Sequence, residues 1–302
     1  MKKYILLLII LGITFSNTFA QDAGKEKSQP VSLPFDSGYL IDQPTTFIPD
    51  AKTLEFSIQH KFGSVQNGKS DLWGIYSPGA NVRLGLDYVP IKNVQVGAGI
   101  TKKNMYTDLN AKWTIFQQTE DNSMPVAIGL FGSLAIDGRN TSAFETDKAY
   151  HPGEGLSEYS MVFGDRLAYF SQLIIGRKFC DWFSLQAAAS FTHYNMVGKT
   201  YDHDIVGAHV NGRIKFSPQS SIIFNYDVPL KIKDISEQTS WDTHAEPIFA
   251  VGVDISTFTH SFQIYVGSAN GILPQENMMY NQNKFNKEGI AIGFTITRLW
   301  MF

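Results

Sequence analysis

Seven histidines and 28 acidic residues are the raw material for acid–base or metal chemistry, and His209 is the best placed of them. In the alternating segment 205–216 it shares a face with Asn211 and Arg213, where a histidine could serve as a general base. With a nucleophile on a neighbouring strand it would make an embedded lipid-modifying centre, because acyl transfer needs a hydroxyl or thiol within hydrogen-bond reach of the imidazole. No serine-rich motif adjoins His209, so catalysis is not expected and no catalytic residue is assigned. Tyr201-Asp-His-Asp204 could offer three hard ligands in one loop, and the stretch from Asp137 to Asp165 carries Glu145, Asp147, Glu154 and Glu158 besides. Neither has the spacing of a metal site, and no cofactor is expected. Gly97-Ala-Gly99 has no helix after it to cradle a phosphate. His60 and His193 fall on outward faces, and His151, His203, His244 and His260 in loops or at their edges. A glycosylation triplet, Asn140-Thr-Ser142, adds nothing.

The elements that would position these residues are strands. Thr53–Phe62 sets Leu54, Phe56, Ile58, His60 and Phe62 against Thr53, Glu55, Ser57, Gln59 and Lys61, one face for lipid and one for water. The same alternation recurs at 80–89, 94–101, 106–116, 126–136, 167–179, 183–194, 205–216, 221–230, 247–256, 261–269 and 290–302. About twelve strands result, each long enough to cross a bilayer at a tilt. The pattern predicts an all-β fold, an antiparallel transmembrane β-barrel with short periplasmic turns and long extracellular loops. Links after even strands are short and those after odd strands mostly long, with 102–105 as the tight exception.

The two ends carry an address. Lys2 and Lys3 precede an apolar run, Tyr4 to Ile13, and Thr18-Phe19-Ala20 suits a signal peptidase. Residues 1–20 therefore read as a cleaved signal peptide, 21–52 as an N-terminal leader and 53–302 as the barrel, with the outer membrane as destination. The final strand places Phe294, Ile296, Trp300 and Phe302 on one face, a pattern for the outer-membrane assembly machinery to read. Cys180 stands alone, excluding an intramolecular disulfide and a lipoprotein anchor. The net charge of −3 offers nothing to nucleic acid. Outer-membrane lipid and the assembly machinery are the partners expected, and protein partners are undetermined.

Inward positions carry both signs of charge: Glu55, Lys61, Arg83, Asp87, Asp108, Lys112, Arg213, Lys215, Asp227 and Asp254, with His209 among them. Such a lumen is expected to be partly filled by salt-linked side chains rather than wide and selective for one ion. Inward Gly85, Gly97, Gly99, Gly207 and Gly252 leave room for larger neighbours. Tyr88, Phe116, Phe179, Trp182, Phe183, Phe216, Phe258, Phe262, Trp300 and Phe302 fall at the periplasmic strand ends as an interfacial girdle. Arg298 breaks the apolar face of the last strand and is expected near an interface.

Phe35-Asp-Ser-Gly-Tyr-Leu-Ile, Leu54-Glu-Phe-Ser-Ile-Gln-His-Lys-Phe-Gly63, Val82-Arg-Leu-Gly-Leu-Asp-Tyr88 and Val94-Gln-Val-Gly-Ala-Gly99 together resemble a Bacteroidetes β-barrel family known only as a domain of unknown function. The resemblance spans nearly all of the chain after the signal segment. It implies an outer-membrane barrel and carries over no reaction or ligand. The outer-membrane partner of the gliding-associated secretion system is similar in length, but its aromatic, Asn-Pro-rich opening is absent. The leading expectation is a non-enzymatic narrow channel, transport accessory or scaffold. The alternative is a surface-binding or secretion component using loops 137–166 and 270–289, and an embedded lipid-modifying enzyme ranks last.

Overall fold

The computed structural model describes residues 28–145, 161–198, 200–238 and 243–302. The signal segment, His151 and the loop carboxylates Asp147, Glu154 and Glu158 lie outside them. Twelve antiparallel strands close into one barrel. They are β1 (Thr53–Ser64), β2 (Asn81–Ile91), β3 (Val94–Thr101), β4 (Thr107–Phe116), β5 (Ala127–Ile136) and β6 (Leu167–Cys180). β7 (Phe183–Tyr194), β8 (Asp204–Lys215), β9 (Ser220–Leu230), β10 (Ile248–Ser256), β11 (His260–Gly267) and β12 (Ala291–Met301) complete it. β12 closes on β1 with Phe294 opposite His60 and Trp300 opposite Leu54, so the sheet has no open edge.

Local chemistry explains the connections. The turn Lys92-Asn93 joins β2 to β3 with Asn93 at φ 65, a left-handed conformation that asparagine tolerates. Asp181 and Trp182 make an equally short link between β6 and β7. The tight link between β3 and β4 has Asn104 at φ 53. Short turns gather at one end of the barrel, the turn end, and long connections at the other, the loop end.

Alternation then sorts the side chains. Along β1 the inward residues Glu55, Ser57, Gln59 and Lys61 are all buried. Outward Leu86, Ile100, Leu109, Trp113 and Ile264 stand bare, which is tolerable only against hydrocarbon. Arg298 sits at the turn end, where its Nη1 lies 2.8 Å from His260 Nε2 and its guanidinium 5.3 Å from the Trp300 ring. Leu299 donates to Thr259 in the adjoining turn, which fixes that level. Ile264→Arg, in the middle of β11, is expected to destabilise the barrel by about 2–4 kcal/mol, and Arg298→Ala by under about 1 kcal/mol. Urea titration in vesicles checks both, and equal effects would contradict the depth assigned to Arg298.

Two segments depart from the expected plan. Residues 35–47, within the stretch set aside as a leader, run inside the barrel: Phe35, Ile41, Gln43 and Thr45 are fully buried. The connection after β11, expected as a surface loop, also turns inward and forms a helix at Pro274–Tyr280, with Pro274 at its first turn. Met278 and Met279 on that helix are fully buried. Both were hidden for one reason: a segment wrapped by a barrel has no single apolar face, so it shows neither the two-residue nor the 3.6-residue period.

Candidate functional site: the plugged lumen

The nine lumen candidates, Glu55, Arg83, Asp87, Asp108, Lys112, His209, Arg213, Asp227 and Asp254, are all inward, none more than 3 % exposed. Some bond to the wall. Arg83 grips Asp108 with Nε and Nη2 at 2.9 and 2.6 Å and reaches Gln59 at 3.1 Å. Gly99 permits this, since a Cβ there would lie 2.5 Å from the guanidinium. Glu55 accepts from Gln95 at 2.9 Å, and Asp254 from Ser256 and Ser261 at 3.0 and 2.7 Å.

Others bind the N-terminal insert. This segment passes the 117–126 turn, where Val31 donates to Gln118, and Arg213 then pairs with Asp36 and donates to the Leu33 carbonyl at 2.7 Å. Its tip is a two-residue hairpin, Tyr39–Leu40 against Gln43–Pro44, with Ile41 at φ 61. Gln263 clamps the tip, accepting from the Ile41 N–H at 2.7 Å and donating to the Tyr39 carbonyl at 2.9 Å, as a neighbouring strand's peptide group would. Gln43 bridges the lumen between Asp227 and Gln172, with 3.1 Å to each. On the way out, Gln186 donates to Pro44, Thr114 to Thr46 and Lys112 to Phe47. The expected inward residues Lys112, Arg213 and Asp227 thus share the insert with three that the sequence did not single out. Gln172, Gln186 and Gln263 are uncharged, and their only sequence signal is an amide on an inward position.

The second insert descends from the loop end. Met278 and Met279 pack with Phe131, Phe170, Ile174, Ile205 and Ile248 of the wall, one of two apolar clusters in the lumen; the other sets Phe35, Leu40 and Ile41 of the first insert against Ile223, Ala250 and Tyr265. Gln275 donates to Ser133 at 3.3 Å. Lys61 joins the inserts, pairing with Asp42 of the first and donating to the Gly271 carbonyl of the second at 2.6 Å. Burial pushes the Asp42 carboxyl above its ordinary range despite the Lys61 ammonium beside it. Around Tyr39, Asp42 and Leu273 the void is only about 10 Å³, room for at most about one water molecule. Larger cavities of about 330 Å³ at the turn end and about 410 Å³ at the loop end lie on either side. The expected filling by salt-linked side chains is thus one part of the answer, and two lengths of main chain are the larger part.

His209 has the partners that the sequence did not reveal. Its Nε2 lies 2.7 Å from Ser190 Oγ and its Nδ1 2.9 Å from Asp227 Oδ1, on the strands to either side. This is the order of nucleophile, base and orienting acid. A substrate has no room there, however: a Cβ at Gly207 would lie 2.6 Å from Ser190 Oγ, 2.9 Å from His209 Nε2 and 2.8 Å from the Met278 sulfur. Asp227 Oδ2 meanwhile accepts from Asn225 and Gln43, so the relay ties the first insert to the wall. A fluorophosphonate probe is expected to leave Ser190 unlabelled in the folded barrel. His209→Ala should cost about 1–3 kcal/mol by stranding Asp227 in the lumen. Labelling of Ser190 by the probe would reopen the enzyme reading.

Two histidines near the loop end, His193 on β7 and His203 beside β8, are committed elsewhere. Asp204 takes His193 at 2.6 Å, and His203 lies 2.7 Å from the Tyr194 carbonyl. No group of three His, Cys, Asp or Glu among the described residues is arranged to hold a metal ion.

The barrel is similar in fold to an outer membrane channel from Pseudomonas putida F1, at 11% identity over 84% of this chain and 97% of that one, with a TM-score of 0.50. It also aligns with KdgM porin, at 9% identity over 83% of this chain and 99% of that one, TM-score 0.45. The Pseudomonas putida toluene transporter TodX aligns at 8% identity over 85% and 91%, TM-score 0.39. No curated protein matches the sequence. The family described as membrane bound beta barrel domain (DUF5777) matches residues 35–300, and the chain belongs to that family.

Proposed function

We propose that this protein is a gated outer-membrane channel, non-enzymatic, described here in its closed state, with the turn end in the periplasm and the loop end outside. The observation that carries this reading is the arrangement of the lumen. A cavity opens at each end, and the seal between them combines two inserts with inward side chains of the barrel such as Arg83 and Asp108. The first insert is held by hydrogen bonds and ion pairs, which water can replace, together with one apolar cluster that sets Phe35, Leu40 and Ile41 against Ile223, Ala250 and Tyr265. A scaffold needs no such division. In planar bilayers the intact protein is expected to give brief openings separated by long closed intervals. A trace that stays silent in every recording would favour a scaffold.

The secretion or surface-binding reading keeps one specific observation. Leu72, Trp73, Ile75 and Tyr76, in the connection between β1 and β2, are exposed together at the loop end. Of the loop at 270–289, residues 271–281 are withdrawn into the lumen, while 284–288 stay exposed and remain a candidate contact beside that patch. Trp73→Ser with Tyr76→Ser should abolish capture of an envelope partner if the reading holds, and an unchanged pull-down would remove it.

A further inference from the structure

Two outward arginines at the turn end share one arrangement. The guanidinium of Arg298 on β12 lies 5.3 Å from the ring of Trp300, and that of Arg177 on β6 lies 5.4 Å from the ring of Phe179. In each case the ring belongs to the next residue but one, which a strand presents on the same face, and the alternation of burial makes that face the outer one. β6 and β12 stand on opposite sides of the barrel, so the arrangement occurs twice independently.

Neither cation is neutralised by the protein. Among the described residues no carboxylate, the C-terminal one included, pairs with Arg298 or Arg177. Asp181, near Arg177 in sequence, pairs with Lys178 at 3.1 Å instead. The polar neighbours are neutral. A guanidinium only donates, so His260 Nε2, 2.8 Å from Arg298 Nη1, accepts; the ring proton then sits on Nδ1 and is donated to Thr259 Oγ1 at 2.9 Å. Arg177 Nη2 lies 3.5 Å from Asn122 Oδ1. Arg298 itself is exposed, as are Phe258, Trp300 and Phe302 at the same end and Phe179 and Trp182 beside Arg177. Aromatic rings in such a band mark the level of the lipid headgroups.

A guanidinium matches the paired oxygens of a phosphodiester with its planar fork, and each fork here is oriented by a ring and a neutral hydrogen-bond partner. A zwitterionic headgroup would bring its ammonium beside a cation with no carboxylate to receive it, so an anionic headgroup fits better. We propose that Arg298, positioned by His260 and Trp300, holds the phosphate of an anionic phospholipid, and that Arg177 over Phe179 holds a second on the opposite side of the barrel. The choice of a phospholipid rests on the turn end facing the periplasm and not on gating.

Native mass spectrometry of the full chain, released from detergent after titration with phosphatidylglycerol or phosphatidylethanolamine, reads the bound lipids directly. Phosphatidylglycerol is expected to be retained in two copies, at lower concentration than phosphatidylethanolamine. Arg298→Gln and Arg177→Gln should each weaken one copy by roughly tenfold and the double variant both. Lys287→Gln, which deletes the same charge from the exposed loop end, should change neither. Arg298→Lys keeps the charge without the fork and should fall between Arg298→Gln and the intact protein. Heat-modifiable migration confirms that each variant is folded, and Arg177→Gln carries the test should Arg298→Gln fail this check. Equal retention of the two phospholipids, tighter retention of lipid A, retention unchanged in both single variants, or an equal loss in Lys287→Gln would overturn the proposal. A loss on Arg298→Gln without one on Arg177→Gln would overturn the second seat and support the first.

Discussion

Lys61→Met is expected to release both inserts at once. Lys61 bonds Asp42 and Gly271 together, and replacing it leaves the Asp42 carboxyl buried with its cation gone. Removing one partner of a buried pair costs about 3–5 kcal/mol. Most of that should appear as weaker docking of the inserts rather than as loss of the barrel, because the twelve strands pair only with one another. The measurements are open probability in planar bilayers and the rate at which chymotrypsin cuts after Phe35, Tyr39 or Phe47 in detergent. Both should rise, while heat-modifiable migration is kept. Lys61→Arg keeps the charge and should stay near the intact protein. A Lys61→Met protein with unchanged openings and unchanged cleavage would show that the inserts are held independently of this residue.

Replacing residues 271–281 by a short Gly-Ser linker is the second large effect. It removes Met278 and Met279, whose side chains each contribute about 1.5–3 kcal/mol on full burial. It also removes the cover from the Ser190–His209 pair. A folded barrel with a standing conductance is expected, limited by the first insert. Loss of the barrel would mean instead that the helix is a core on which the wall depends.

How much of this was legible before the structure follows from what each part is packed against. Strands such as Thr53–Ser64 and Asn81–Ile91 separate lipid from a polar interior, so alternation marked them to within a residue or two. Arg298 was legible as a boundary residue because its cost depends on depth. The insert tip was not, because Leu40 and Ile41 are apolar residues inside a polar lumen and look like any buried pair. Pro30, Pro34, Pro44 and Pro49 interrupt that stretch and suggest a linker. The His209 relay needed the strand register, since Ser190 and Asp227 lie 19 and 18 residues away in sequence. Met278 and Met279 were legible only as members of a loop, and their burial depends on that loop turning inward.

The mobility of the second insert decides between a gate and a permanent plug, and a reversible tether measures it most directly. Gln275 of the helix donates to Ser133 of the wall at 3.3 Å, so cysteines at these two positions lie within reach of a short bis-methanethiosulfonate cross-linker that a reductant releases. The Ser133→Cys and Gln275→Cys pair, in a Cys180→Ser background, should record as a silent protein when cross-linked and regain the brief openings of the intact channel when reduced. Openings of equal frequency in the cross-linked and reduced protein would contradict the gate.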